Sequence, residues 1–174
     1  MGRLLVVVDM QNDFVDGALG FEGADGIIEG IAKRIQEYKD AGDEVVYTLD
    51  THFENYPDTQ EGRNLPVPHC IKGSEGHALV PALKDILTDC LCFEKPTFGS
   101  LKLGNYINSN ADKYDSIELC GLVSNICVIS NAVIAKAAAP ETQIIVDSAL
   151  TDSFDKKLDQ ETYDIMKGVQ ITVL

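Results

Sequence analysis

A few side chains, scattered along the sequence, are of types and in places that could do chemistry together. Cys127 lies in "GLVSNICVISNAV" (121–133), just past an apolar run and at the start of a helical pattern. With Ser124 as N-cap the thiol falls in the first helical turn, where free N–H groups and the helix dipole favour a thiolate. A cation at a neighbouring strand end would favour it further, and Lys95 follows such a run. Asp9 comes directly after "LLVVV". A carboxylate ending a buried strand is costly unless a partner or a task holds it there. The tripeptide "DTH" (50–52) together with His69 offers one carboxylate and two imidazoles. Such a set leaves positions open for water or substrate, as catalytic Zn²⁺ or non-haem Fe²⁺ sites require. By contrast, Cys70, Cys90, Cys92 and Cys120 read as packing residues, Asp13 and Asp16 as turn residues, and His77 as an ordinary residue before a helix.

The elements that must position these groups are legible from periodicity. Six β-prone runs occur at 3–9, 44–50, 90–94, 116–121, 142–147 and 169–174, most of them continuously apolar, as strands covered on both faces are. Helical stretches at 26–40, 78–88, 99–109, 124–139 and 156–167 alternate with them. The pattern predicts an α/β fold: an open six-stranded, mostly parallel sheet with helices on both faces, in one domain over 1–174. In such a sheet the strand ends share one edge, where ligands bind at the topological switch point. Asp9, Asp50, Lys95, Gly121 and Asp147 each end or follow a strand, so topology gathers them at that edge. The turn after the first strand, "DMQNDFVDG", lacks the glycine pattern of a dinucleotide site. The long connection 51–75 holds three prolines and two glycines without a helical period. Structureless loops of this length inside a domain are usually functional.

Composition narrows the partners. The 174-residue chain is 45% hydrophobic and 24% charged, with a net charge of −14. That charge, with no Lys/Arg cluster to interrupt it, argues against nucleic acid and anionic membranes. No apolar run is long enough to span a bilayer, and "LLVVV" starts too close to Met1 for a signal peptide. A cytoplasmic location and five free thiols are expected, while a homo-oligomer stays open.

"VVVDMQNDF", "DTH", "HC" at 69–70, "KPTFGS" and "CGLVSNICV", in that order along nearly the whole chain, resemble the nicotinamidase/isochorismatase-like cysteine hydrolases. The resemblance implies a six-stranded parallel sheet and a triad of Asp9, Lys95 and Cys127. It implies metal ligation by Asp50, His52 and His69, with Zn the first choice and Fe or Mn the alternatives. It also implies a cis peptide at Leu122–Val123, with an oxyanion hole formed by the backbone N–H groups of Val123 and Cys127.

This chain departs from the family in having Ser124-Asn125 where Thr-Asp is common, and in having no tryptophan. Phe14, Phe21, Tyr56 and Leu122 are the residues left to line the substrate pocket. The "FENYPDT" segment offers no histidine as a fourth metal ligand. The expected activity is cleavage of a small amide, nicotinamide or similar, to acid and ammonia through a thioester. An isochorismatase-type or ureido/carbamoyl hydrolase is the alternative, with only Arg63 of three arginines placed to grip an anionic substrate. A noncatalytic α/β binding protein is the third reading.

Overall fold

The apolar runs become strands, and helices cover both faces of the sheet they form. The computed structural model describes residues 2–174, with strands β1 (Gly2–Val8), β2 (Glu44–Asp50), β3 (Leu91–Lys95), β4 (Tyr114–Leu122), β5 (Gln143–Asp152) and β6 (Thr172–Val173). Their order is β3-β2-β1-β4-β5-β6, and every neighbouring pair is parallel. The helices are α1 (Asn12–Val15), α2 (Ile28–Asp40), α3 (Gln60–Asn64), α4 (Pro81–Lys84), α5 (Leu101–Asn110), α6 (Ile129–Ala138) and α7 (Lys156–Gly168). None is long and apolar enough to cross a membrane.

Side-chain alternation splits β1 between two cores. Leu4, Val6 and Val8 join a cluster with residues of α5, α6 and α7, whereas Leu5 and Val7 join one with α2 and α4. Burial on both faces is why this strand is continuously apolar. The chain leaves β1 toward β2 and β3 on one side and returns to β4 on the other, so the switch point lies between β1 and β4. Asp9 and the Gly121–Cys127 turn follow those two strands.

Four elements differ from the sequence-based expectation, the simplest being β6, which keeps only Thr172–Val173 of the run 169–174. β5 runs on to Asp152 instead of ending near 147, with a shift of register opposite β4. Asp147 is therefore not at the ligand edge: it lies within the strand, where it accepts a 3.0 Å hydrogen bond from Arg34. The helix expected over 78–88 shrinks to α4, because Ala78 and Val80 bond to the loop after β1 (Asn12 N to Ala78 O 3.0 Å, Val80 N to Met10 O 3.0 Å) and Pro81 then opens the helix. The 51–75 connection, expected to be structureless, contains a 3₁₀ turn at Tyr56–Asp58 and α3, capped by the Thr59 side chain accepting from Gly62 N.

Gly121 allows β1 and β4 to meet at the switch point. Its φ is +113°, and a Cβ there would lie 2.1 Å from the carbonyl oxygen of Val8. Gly121→Ala combines an unfavourable dihedral with a clash against backbone that cannot swing away, so it should lower unfolding free energy by at least about 2 kcal/mol in urea titrations.

Candidate active site

β3 ends on Lys95, whose side chain is fully buried and crosses the ends of β2 and β1. Its ammonium lies 2.6 Å from Asp9 Oδ2, 3.3 Å from Asp50 Oδ1 and 3.5 Å from Cys127 Sγ, and it donates to Thr97 O at 3.1 Å. Asp9 leaves β1 in the left-handed region (φ 49°), a turn that Asp tolerates better than most residues. Its other oxygen accepts a 2.6 Å hydrogen bond from Thr48 Oγ1. Burial raises the Asp9 pKa, and the Lys95 charge only partly offsets this, so the carboxylate is a stronger base than an exposed one.

Cys127 lies in a π-turn, Ser124–Val128, that leads into α6. Ser124 is not the N-cap expected from sequence: Val123 takes that place, and the buried Ser124 hydroxyl donates to Asp159 of α7. Nor is the thiol acidified. Burial and the Asp9 carboxylate push its pKa well above the ordinary value, outweighing Lys95, so at rest the sulfur keeps its proton. The Leu122–Val123 peptide is cis, as the resemblance implies. Leu122 itself is fully buried.

Asn131, absent from the sequence reading, holds this turn from the other side. Fully buried, its amide donates to Cys127 O at 2.8 Å and to Phe98 O at 3.1 Å, and accepts from Ser100 N at 2.9 Å. It thus ties the turn bearing Cys127 to the segment that follows Lys95. Ser153 Oγ adds a 2.9 Å bond to Asn125 Oδ1.

Beside Asp9, Lys95 and Cys127 lies a group of residues that could hold a metal ion. Asp50, His52 and His69 come together as expected, and Glu61 of α3 joins them, with one ligand atom from each all within 4.8 Å of one another. Asp50 Oδ2 is 3.0 Å from His52 Nε2 and 3.3 Å from His69 Nε2, while Glu61 Oε1 is 3.5 Å and 3.8 Å from the same two nitrogens. Four ligands about 2.1 Å from a tetrahedral Zn²⁺ stand about 3.4 Å apart, so the donor set has the right size and chemistry. His69 Nδ1 lies 2.8 Å from Val67 O, which leaves Nε2 facing the cluster in the tautomer a ligand needs. Asp50 is buried, yet His52, His69 and Lys95 hold its carboxyl well below the usual range. With Asp9, Asp50 and Glu61 set against the single ammonium of Lys95, a divalent cation would balance the charge.

Gln11 joins the two parts of the site. Its buried amide donates to Asp50 O at 2.9 Å and accepts from Asp50 N at 2.8 Å, taking the place of a strand partner once β1 has turned away at Asp9. His77 stays outside the cluster and bonds to Thr51 Oγ1 at 2.9 Å.

Of the residues expected to line the pocket, Phe14 packs 5.7 Å from the His69 ring, and Phe21 meets Phe154 edge-on at 6.4 Å. Phe154 comes from the β5–α7 connection, where no sequence pattern marks it as a pocket residue. Tyr56 packs against His52 and His69 at 4.7 and 5.1 Å, and its hydroxyl donates to Leu65 O. It thereby supports the two imidazoles from behind. None of the three arginines enters the cluster: Arg3 pairs with Asp43, Arg34 with Glu118 and Asp147, and Arg63 donates to Asp58 O.

The family model for the isochorismatase domain matches residues 3–174. The chain is 30% identical over 167 residues to an isochorismatase family protein of Bacillus subtilis strain 168, covering 90% of each. It is 24% identical over 158 residues to the nicotinamidase/pyrazinamidase of Mycobacterium tuberculosis, covering 83% of this chain and 84% of the relative. Among solved structures it resembles a nicotinamidase/pyrazinamidase of Bacillus subtilis (TM-score 0.88, 26% identity, 99% of both chains). It also has the fold of the Pyrococcus horikoshii pyrazinamidase in complex with zinc (TM-score 0.86, 24% identity, 100% of this chain and 99% of that one).

The bridge made by Asn131 can be tested without any substrate. Asn131→Leu keeps the volume but leaves Cys127 O, Phe98 O and Ser100 N without their buried partner. Urea denaturation should show a loss of about 3 kcal/mol. Iodoacetamide should also alkylate Cys127 faster in the variant, as read by peptide mass spectrometry.

Proposed function

Because the chain belongs to the isochorismatase family, its domain spanning residues 3–174, we propose that it is a cysteine amidase acting on nicotinamide or a small amide of similar shape. The observation that carries this reading is the convergence on the Lys95 ammonium of Asp9 at 2.6 Å and the Cys127 thiol at 3.5 Å. A thiol that stays protonated at rest needs a base beside it, and a buried carboxylate of raised pKa is suited to that task.

Asp9 takes the Cys127 proton as sulfur attacks the carbonyl carbon. The oxyanion that forms is received by the backbone N–H groups of Val123 and Cys127. As the C–N bond breaks, Asp9 returns the proton to the departing ammonia and a thioester remains on Cys127. Asp9 then takes a proton from an incoming water, whose oxygen bonds to the acyl carbon as the C–S bond breaks, and the thiolate is reprotonated. Lys95 keeps its charge throughout and offsets the negative charge that moves between Asp9 and Cys127.

Asp50, His52, Glu61 and His69 would hold a divalent metal, Zn²⁺ first by donor type and Fe²⁺ or Mn²⁺ next, and a bound metal would supply a Lewis acid beside the triad. Phe14, beside His69, and the Phe21–Phe154 pair provide an apolar wall where tryptophan is missing. Against an anionic isochorismate-type substrate stands the engagement of all three arginines elsewhere. A noncatalytic binding protein would have no need of the complete triad. A cytoplasmic setting accords with this reading, since all five cysteines are free.

Metal-replete protein should release ammonia from nicotinamide and yield nicotinate, with benzamide, the same shape without the ring nitrogen, a much poorer substrate. Cys127→Ala should lower kcat by roughly a thousandfold or more while circular dichroism stays unchanged. Absence of ammonia from nicotinamide together with turnover of a ureido or aliphatic amide through Cys127 would leave the hydrolase and remove the substrate.

The metal has a separate readout. Elemental analysis of protein purified without chelator should find close to one metal ion per chain. Glu61→Gln should weaken binding about tenfold or more in a competition titration with a chromogenic chelator.

A further inference from the structure

Acidic residues are distributed unevenly over this chain. The protein has 28 of them and a net charge of −14, yet segments 95–111 and 121–140 contain no Asp or Glu at all. These two segments hold α5 and α6, which pack against each other on one face of the sheet. Beyond the buried Lys95, their charges are Lys102 and Lys136, and the Lys136 ammonium donates to Pro140 O at the end of its own helix. The inner side of α6 is core (Ala132, Ala135), while its outer side carries Val133, Ile134 and Ala137. An outward helix side with so little charge is normally covered.

The exposed surface here has relief as well as polarity. Leu101 is 76% exposed, with Phe98 at 44% and Val133 at 43%. These three side chains edge an open cavity of about 550 Å³ whose lining also includes Thr97, Gly99, Ile129, Ser130 and Ile134. Gly99 keeps that groove open, since a Cβ there would come within 2.6 Å of Ile134 Cδ1. Knob and groove lie side by side on one face, the arrangement that an isologous two-fold contact uses.

We propose that the α5–α6 face is a self-association surface, on which two copies of this chain dock about a two-fold axis with Leu101 of each entering the groove of the other. Charge selects the face. Two copies at −14 each repel over most of their surfaces, and contact through an acid-free face brings no carboxylates together. The exposed apolar residues of α7 make the contrast. Leu158 and Ile165 of α7 are also exposed, but their helix carries Asp159, Glu161 and Asp164. Phe98 further lines the cleft containing His52 and Glu61. A copy docked on α5 and α6 therefore sits against the mouth of the proposed active site.

Sedimentation equilibrium of the untagged protein, from low to high micromolar, should show a monomer–dimer equilibrium. That dimer should tighten as NaCl rises, because salt screens the repulsion of like-charged copies while leaving an apolar contact intact. Leu101→Asp and Val133→Asp, each introducing an acid into the face, should weaken dimerisation by about a hundredfold or more, whereas Ile165→Asp on α7 should not. Hydrogen exchange of the wild-type chain provides a check that needs no variant: peptides spanning 97–105 and 129–138 should be more protected at high than at low concentration. A wild-type protein that stays monomeric at every concentration and salt would overturn the proposal. So would a dimer indifferent to both face variants, or concentration-dependent protection confined to other segments.

Discussion

The buried ammonium of Lys95 is the interaction around which the rest of the molecule is arranged. An amine this deep in the protein is tolerated only with opposite charge at contact distance, and Asp9 and Asp50 provide it from two different strands. Withdrawing one partner from such a pair costs about 3–5 kcal/mol, because the charge left behind remains buried. The ends of β1, β2 and β3 are thus locked to one another by electrostatics, and the Cys127 turn is drawn to the same point from β4. Stability and proton affinity are set by the same groups here. Burial and the Asp9 carboxylate raise the Cys127 pKa against the pull of Lys95, Asp9 raises that of Lys95 against its burial, and His52, His69 and Lys95 depress that of Asp50.

Parallel topology makes this arrangement economical in sequence. Each strand needs only one polar residue at or just past its C-terminal end, and a shared direction brings those residues to one edge. Helices on both faces keep water from the charges. The Ser124–Asp159 and Asn131 bonds extend the same control to the Cys127 turn, tying it to α7 on one side and to the segment after β3 on the other.

This logic explains what could be read from sequence and what could not. Asp9, Asp50 and Lys95 announce themselves because a charged residue at the end of an apolar run is anomalous, and Cys127 because it opens a helix. Glu61 gives no such signal: it is one acid among many in a polar loop, and only α3, capped by Thr59, turns it toward His52. Asn131 looks like a helix-surface amide until α5 and α6 are seen to bury it. The reach of β5 to Asp152 was hidden because "DSALTD" has no apolar continuity, and its pairing follows from the register shift opposite Gly121. The raised pKa of Cys127 is hidden from sequence for a similar reason. The helix position was legible, but the depth of burial that outweighs it was not.

Gln11 carries an implication for rebuilding this protein. By bonding both backbone groups of Asp50, it makes a side chain in the first loop act as a missing piece of strand. The loop after β1 is therefore not a free appendage that can be exchanged with that of a relative to alter specificity. Any graft spanning residues 10–27 has to bring a glutamine in the same register, or an amide of equal reach. Otherwise the aspartate of the neighbouring strand loses its anchor, and a change intended for substrate choice is felt first where Asp50 meets His52, Glu61 and His69.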